Sequence, residues 1–113
     1  MHELSIALGS VKIAESEKER VGAHKIEGIE LQIGTLSGVE LDSLEFAWPL
    51  AVKDSALEHS EKRIDVVEGE AQCLECEQKY ELTHIFDACP NCKSYFKDIL
   101  HGQELRVKAL EVT

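Results

Sequence analysis

Four cysteines form two pairs with the spacing of a metal site. Cys73 and Cys76 enclose two residues, twelve residues follow, and Cys89-Pro90-Asn91-Cys92 repeats the short spacing. Each short turn directs two sulfurs toward one point, and an intervening hairpin folds the second pair back onto the first. The chain has no further cysteine. The pattern predicts one tetrahedral four-thiolate site, which is most typical of structural Zn(II).

Other uses of the four cysteines fit less well. Iron in a rubredoxin-like site is an open alternative, because it takes the same four thiolates. Two disulfides are disfavoured, because the amino end shows no signal peptide that would lead to an oxidising compartment. A thioredoxin-like redox pair is also disfavoured, since neither Cys-x-x-Cys segment opens a helix after a buried strand.

The amino end offers a second, nitrogen-rich set of donors. Met1-His2-Glu3 opens the chain, and the Met1 amine, the His2 backbone nitrogen and the His2 imidazole can close fused chelate rings on one divalent ion. Glu3 or another residue would supply a fourth donor. Nickel and copper suit such near-planar nitrogen sites best. A histidine at position two is also common in frayed chain ends that bind nothing.

Composition excludes several classes of partner. The 113-residue chain has 22 acidic and 12 basic residues, a formal net charge of -10, which argues against binding a nucleic-acid backbone. A basic, aromatic face would have only six remnants, at Lys79, Tyr80, Lys93, Tyr95, Phe96 and Lys97. No apolar run is long enough to span a membrane, and no targeting segment is visible. We therefore expect a cytoplasmic protein that binds neither nucleic acid nor membrane.

Two helices and three strands should carry these residues. Apolar residues at helical spacing predict a first helix over about residues 4–20, and a second over about 38–54 follows the capping-box spacing of Ser37 and Glu40. Pro49 should kink or restart the second helix. Strict alternation predicts strands around Ile29–Ile33 and Ile64–Val66, and again over residues 104–112, where Leu105, Val107 and Ala109 would share one side.

The order of these elements predicts an α+β fold with an insertion. Two helices would lie on a small mixed sheet of about three strands. The last strand follows the cysteines, so a four-cysteine zinc-ribbon domain over residues 71–100 would be inserted between two strands of that sheet. Residues 1–70 and 101–113 would form the other domain.

Four segments together resemble the HypA/HybF family of hydrogenase maturation proteins. They occur in order along essentially the whole chain: residues 1–5 (MHELS), residues 33–39 (IGTLSGV), the two cysteine pairs, and residues 104–112 (ELRVKALEV). The resemblance implies a nickel metallochaperone that carries Ni(II) as transient cargo to the large subunit of [NiFe]-hydrogenase, together with the GTPase HypB. In some bacteria family members also serve urease. A homodimer is left open.

The resemblance also assigns residues. It implies that His2 is a nickel ligand, that the Met1 amine and the backbone of His2 and Glu3 complete or assist the site, and that Cys73, Cys76, Cys89 and Cys92 hold structural zinc. Glu40 stands where an acidic residue can lie near the nickel, although a capping role in the second helix is the simpler account. The chain departs from the family where Glu77 and Lys93 replace the usual glycine after each cysteine pair, and at Pro49 in the second helix.

No arrangement for catalysis is visible. Once the cysteines bind metal, no nucleophile and base remain in a recognisable pattern, and the glycines form no phosphate-binding loop. We therefore expect a protein that is not an enzyme. His84 and His101 lie near the cysteines in sequence, so either could approach the metal. Beside nickel delivery, a zinc-ribbon adaptor for protein or nucleic acid and a small rubredoxin-like electron carrier remain as alternatives.

Overall fold

The computed structural model describes residues 2–113. Its elements in chain order are α1 (Glu3–Val21), β1 (Ile26–Gly34), α2 (Leu41–Val52), β2 (Glu61–Val67), β3 (Glu70–Cys73), β4 (Lys79–Glu81), β5 (Lys97–His101) and β6 (Leu105–Val112). The strands form two three-stranded sheets with the orders β2-β1-β6 and β4-β3-β5. The predicted α+β class, with a cysteine-bearing segment between two strands of the first sheet, is confirmed.

The chain divides into two compact units. The first comprises the chain up to Leu31, Val39–Asp65 and Arg106–Thr113, and the second comprises Gln32–Gly38 and Val66–Leu105. The second unit is therefore wider than the segment 71–100 that the sequence suggested, because part of the chain after Leu31 and the residues that precede Cys73 belong to it. No helix in the described part of the chain combines the length and apolar character that crossing a membrane requires.

Helix α1 begins at Glu3 and ends with a glycine cap. His2 is its N-cap residue, and the N–H of Ile6 donates the first helical hydrogen bond to the His2 carbonyl, at 3.2 Å. Gly22 ends the helix at a φ of 69°, a left-handed conformation that glycine adopts without steric cost. The predicted limits of 4–20 agree with this helix to within one residue at each end.

The first sheet is mixed, as predicted. At the start of β1 and β2 the Ser60 hydroxyl donates to the Ile26 carbonyl at 2.6 Å, and at their ends Thr35 N–H donates to the Val67 carbonyl at 2.9 Å. These two strands are therefore parallel, with α2 in the crossover. Strand β6 runs antiparallel to β1, since Thr113 pairs with Lys25 at one end and Gly34 N–H donates to the Glu104 carbonyl at the other.

The central strand is buried and the edge strand β6 is not. Strand β1 buries Ile26, Ile29, Leu31 and Ile33. In β6 only Val107 and Leu110 are half-buried, whereas Leu105 and Ala109 are exposed. The alternation of Leu105, Val107 and Ala109 along β6 therefore does not mark a uniformly buried side. An edge strand has a sheet neighbour on one side only, so its alternation predicts burial less reliably.

Helix α2 starts later than predicted. Its N-cap is Glu40 and not Ser37, and the Glu40 side chain makes no capping hydrogen bond. Ser37 instead lies in the turn after β1, where its N–H donates to the Gly34 carbonyl at 3.1 Å, and the next residue, Gly38, has a φ of 82°. This left-handed residue prevents a helix from starting at position 38. Of the two outcomes predicted at Pro49, a kink or a restart, the restart is wrong, because the helix continues through Pro49 to Val52; the kink stays a prediction.

The second sheet supports the cysteines. Strand β3 is central and pairs antiparallel with both β4 and β5. Five buried residues form its small core: Ala71, Cys73, Tyr80, Leu82 and Cys89. Two of the five are cysteines, so little apolar surface is available to stabilise this part of the chain, and a bound metal would add much of what is missing.

Candidate metal centre

The two cysteine pairs sit on turns with the same backbone hydrogen bonds. In the first turn, which we call knuckle 1 (residues 73–78), Cys73 N–H donates to the Gln78 carbonyl at 2.9 Å and Glu77 N–H donates to the Cys73 carbonyl at 3.0 Å. Knuckle 2 (residues 89–94) repeats both bonds, at 2.8 and 2.9 Å, between the corresponding atoms of Cys89, Ser94 and Lys93. Sequences that share only the cysteine spacing therefore fold into matching turns.

The residue after each cysteine pair adopts a left-handed backbone conformation. The φ angle is 64° at Glu77 and 69° at Lys93. Glycine is favoured at such positions because it lacks the Cβ atom that clashes with the following carbonyl. The departure from the family pattern that the sequence shows at these two residues is thus accommodated without a change in the turn.

The four sulfurs converge on one point. The Sγ atoms of Cys73, Cys76, Cys89 and Cys92 all lie within 4.8 Å of one another. Sγ–Sγ separations are 3.5 Å for Cys73 and Cys92 and 3.7 Å for Cys76 and Cys89. Tetrahedral Zn–S bonds of about 2.3 Å place sulfurs roughly 3.8 Å apart. The residues present therefore fit a single metal ion with four thiolate ligands.

The cysteines differ in burial and in the ease of ionisation. Cys73 and Cys89 are 1% and 0% exposed, Cys76 is half-buried, and Cys92 is exposed. A hydrogen bond from the Asn91 side chain, supported by the backbone at Gln78, lowers the pKa of Cys76 to about 6. A backbone hydrogen bond from Cys76 itself lowers the pKa of Cys73.

The thiol of Cys92 ionises less readily than an isolated cysteine. The backbone at Ser94 favours its thiolate, but the neighbouring cysteines and burial outweigh that hydrogen bond and raise the pKa of Cys92 to about 12. In the metal-free site the thiolates share protons, because several negative sulfurs so close together repel one another. A divalent cation at the centre removes that conflict, since it binds the deprotonated sulfurs directly.

Sequence reasoning did not single out Asn91. Its Nδ2 atom donates to the Sγ atom of Cys76 at 3.4 Å, from knuckle 2 to a cysteine of knuckle 1. An amide between two cysteines was the only signal available in the sequence, and it does not tell which sulfur the amide will reach. The structure supplies that information.

Neither histidine near the cysteines joins the cluster. His84 is exposed, and its backbone N–H donates to the Asp87 carboxylate at 3.0 Å. His101 Nε2 lies 3.3 Å from the Glu70 carboxylate. Within residues 2–113 the four cysteines are the one group of three or more cysteine, histidine or acidic side chains arranged to hold a metal ion.

Two of the six remnants of a nucleic-acid face, Tyr80 and Lys97, are engaged within the protein. Tyr80 is only 7% exposed and packs in the small core beside the cysteines, so its ring is unavailable to a base. Its hydroxyl has no hydrogen-bond partner in the described part of the chain, and burial raises the pKa of Tyr80. The Lys97 ammonium is engaged with the Ile85 carbonyl at 2.9 Å.

At the amino end a hydrogen bond joins Glu3 and Glu40, two of the residues predicted for the nickel site. Met1 lies outside the described residues. His2 is exposed, and Glu3 Oε2 accepts a hydrogen bond from the backbone N–H of Glu40 at 3.1 Å. This bond lowers the pKa of Glu3. Glu3 therefore ties the start of α1 to the start of α2, within the first unit.

Glu40 is positioned by its backbone and not by a capping side chain. Its carboxylate makes no capping hydrogen bond in α2, so the account that assigned it a capping role is wrong. The Glu3 carboxylate takes the place that a capping-box glutamate would occupy, because it accepts the N-cap N–H from outside the helix. The Glu40 side chain is exposed.

Comparison with known proteins gives full-length matches. A family described as hydrogenase/urease nickel incorporation, metallochaperone, hypA matches residues 1–112. The chain is 46% identical over 112 residues to the hydrogenase maturation factor HypA of Parabacteroides distasonis, covering 99% of this chain and 97% of that protein. It is 39% identical over 110 residues to HypA of Francisella philomiragia, covering 97% of each.

Two solved structures share the fold. One is the solution structure of the Ni metallochaperone HypA from Helicobacter pylori, with a TM-score of 0.70 and 24% identity, covering 99% of this chain and 97% of that one. The other is a solution structure of HypA protein, with a TM-score of 0.69 and 25% identity, covering 100% of this chain and 97% of that one.

Proposed function

The chain belongs to the HypA family of hydrogenase and urease nickel-incorporation metallochaperones, and on that premise we propose that it binds Ni(II) at its amino end and delivers it for [NiFe]-hydrogenase maturation. A structural Zn(II) occupies the four-cysteine site in this proposal. The observation that carries the proposal is the full-length match: the family covers residues 1–112, and relatives of the same description align over almost their whole length.

The start of α1 supports the proposed nickel site. Because the helix begins at Glu3, the backbone nitrogens of His2 and Glu3 have no carbonyl partner within the helix. The His2 nitrogen can bind a metal together with the Met1 amine and the His2 imidazole, and binding through the Glu3 nitrogen would replace the hydrogen bond from that N–H to the Glu3 carboxylate. Such a nitrogen-rich set suits Ni(II). Four donors from consecutive residues, on an exposed end, form a chelate that a partner can take apart one donor at a time.

The hydrogen bond between Glu3 and Glu40 supports the proposed position of that chelate. It holds the first residue of α1 against the N-terminus of α2, within the first unit. The Glu40 carboxylate belongs to the same N-terminal turn and is exposed, so it is the acidic side chain we assign as an auxiliary to the nickel. Its role is to add negative charge near a divalent cation.

The four-cysteine site serves as scaffold in this proposal. Zn(II) bound by four thiolates has no open coordination position and supplies folding energy instead of reactivity. The small core around Cys73 and Cys89 needs such a contribution. Cysteines that bind metal and form no disulfide suit a reducing compartment, and we place the protein in the cytoplasm on that ground.

Delivery requires partners and no catalysis by this chain. We assign the GTPase HypB and the hydrogenase large subunit as the proteins that exchange nickel with it, and urease maturation as a second destination. GTP hydrolysis then belongs to the partner. We include a homodimer in the proposal only because two paired copies would present two amino ends.

Nickel calorimetry on single variants tests the assignment of donors. The protein must start at Met1 with no added residues. We expect His2→Ala to lose high-affinity Ni(II) binding and to keep its fold and zinc, because the imidazole is removed from an exposed position. His59→Ala is the matched control, since that side chain is 89% exposed and lies far from the amino end in sequence. It should bind nickel as the parent does.

A cysteine variant tests the scaffold role. Cys73→Ala removes a thiolate that is also a buried member of the small core. We expect zinc to be lost and the cysteine-bearing part to unfold. Normal nickel affinity in His2→Ala would contradict the proposed nickel site at the amino end. An unchanged zinc content in Cys73→Ala would contradict the proposed zinc site at the cysteines.

A further inference from the structure

The two knuckles match in their backbone but differ in the residue before the second cysteine. Knuckle 1 has Glu75 at that position and knuckle 2 has Asn91. An amide carries two N–H donors, whereas an ionised carboxylate can only accept hydrogen bonds. Two turns of the same shape therefore carry side chains of opposite hydrogen-bonding chemistry at the same position.

Asn91 uses its donor across the site. Its Nδ2 atom lies 3.4 Å from the Sγ atom of Cys76, so a side chain of knuckle 2 holds a ligand of knuckle 1. Cys76 is half-buried and is partly covered by this contact. A hydrogen bond to a thiolate is charge-assisted and restricts the orientation of the sulfur. For Cys76 to leave a metal, this bond must break as well.

Cys92 lacks an equivalent partner. It is the exposed cysteine of the four, and the hydrogen bond recorded at its sulfur comes from the backbone at Ser94 and not from a side chain. The nearest sulfur is that of Cys73, at 3.5 Å. Cys73 and Cys89 are packed in the small core and can move only if that core opens. The four ligands therefore differ: two are buried in the small core, one is held by an amide hydrogen bond, and one is exposed.

We propose that the four-thiolate site is asymmetric: Asn91 is a positioning residue that holds Cys76 on the metal, and Cys92 is the ligand that detaches first during metal exchange. This inference rests on the metal-binding part of the proposed function and not on nickel delivery. Four thiolates on a divalent ion leave a net charge of about -2. The Asn91 donor offsets part of that charge at Cys76, whereas the carboxylate of Glu75 has no N–H to donate to Cys92.

Cysteine labelling of the zinc-loaded full chain tests the order of detachment. The protein is exposed to N-ethylmaleimide in limiting amounts, and modified cysteines are located by peptide mass spectrometry. We expect Cys92 to be labelled before the other three. Zinc release to a chromogenic chelator is followed in parallel, because it measures the same opening without a covalent probe.

Reciprocal variants test the role of the amide. Outer hydrogen bonds to metal ligands typically change metal affinity by about 10- to 100-fold, so Asn91→Ala should release zinc roughly tenfold faster and bring Cys76 into the early-labelled group. Asn91→Gln keeps the donor and should restore slow release. Glu75→Asn supplies an amide to the other knuckle and should slow both zinc release and labelling of Cys92.

Control experiments distinguish a failure of the proposed asymmetry from a failure of the proposed zinc site. Lys79→Ala changes an exposed side chain of β4, outside both knuckles, and should leave the labelling order unchanged. Simultaneous labelling of all four cysteines in the zinc-loaded parent, or an Asn91→Ala protein that releases zinc at the parental rate, would overturn the inference while leaving zinc binding intact. Protein that holds no zinc as isolated would instead overturn the assignment of the four-cysteine site, and nickel titration reports on the amino end separately.

Discussion

At the residue scale, the turns that carry the cysteines depend on two non-glycine residues in left-handed conformation. Glu77 and Lys93 have φ angles of 64° and 69°, and each donates its N–H to the first cysteine of its pair. That bond closes the turn, so the conformation cannot relax without opening it. A side chain in this region costs about 1–2 kcal/mol relative to glycine, and the chain tolerates that cost twice.

Lys93→Gly should therefore raise the free energy of unfolding of the zinc-loaded protein. The expected gain is about 1 kcal/mol, because removing the Cβ clash outweighs the greater flexibility of glycine in the unfolded chain. Denaturation by urea in the presence of zinc measures it. Lys79→Gly is the control: Lys79 is exposed within β4, where glycine should lower stability by about 0.5–1 kcal/mol. Destabilisation of similar size in both variants would contradict the account.

Residue identities in the cluster could be predicted, but their contacts could not. Spacing alone located the four cysteines, and the resemblance to the family drew attention to Glu77 and Lys93, where it implies glycine. The contact of Asn91 with Cys76 depends on how the two knuckles face each other, which spacing does not determine. The same applies to Tyr80, whose aromatic character suggested a surface role and whose ring is buried.

At the element scale, long-range contacts decide where helices and strands end. The Ser37–Glu40 spacing predicted the start of α2 from local sequence, yet the N-cap N–H of that helix donates to Glu3, 37 residues earlier in the chain. Helix α1 was predicted closely because its signals are local, with apolar periodicity inside it and Gly22 at its end. At Pro49 the local signal misleads, because tertiary packing keeps α2 continuous through a residue that disfavours a helix.

Two glycines give a matched test of element geometry. A Cβ atom built on Gly34, at the end of β1, would lie 1.9 Å from the Gly102 carbonyl oxygen, whereas one built on Gly9, inside α1, would meet nothing within 4 Å. We expect Gly34→Ala to lower the free energy of unfolding by about 3 kcal/mol, because backbone must move. Gly9→Ala should raise it by roughly 0.5–1 kcal/mol through helix propensity. Chemical denaturation of both variants checks the pair, and effects of the same sign would count against this packing.

At the scale of the whole molecule, the chain passes through the first sheet, enters the cysteine-bearing unit and returns. The strand order β2-β1-β6 shows that the last strand returns to the first sheet. The position of the cysteines before this strand was sufficient to predict that return. The limits of the second unit were not predictable in the same way. They depend on pairings such as Thr35 with Val67 and Leu36 with Gly102, which join segments far apart in sequence.

Chelation should affect the two units differently. The small core of the second unit includes two of the cysteines, so removing zinc with a strong chelator should unfold residues around the knuckles, because metal binding and folding are coupled there. Backbone amide signals of residues 70–101 should broaden or collapse in NMR spectra, while those of α1 and α2 persist. Zinc addition should restore them. Spectra in which the knuckle signals are unchanged by chelation would contradict a structural role for the metal.

The central claim is that thiolates hold one ion permanently while the amino end carries another that can be passed on. Metal analysis of the protein starting at Met1, compared with the same chain extended by a few residues before Met1, tests it most directly. We predict equimolar zinc in both proteins as isolated, and uptake of equimolar nickel only by the unextended chain, because the extension removes the free amine. Equal nickel uptake by both proteins, or nickel uptake that displaces the zinc, would contradict it.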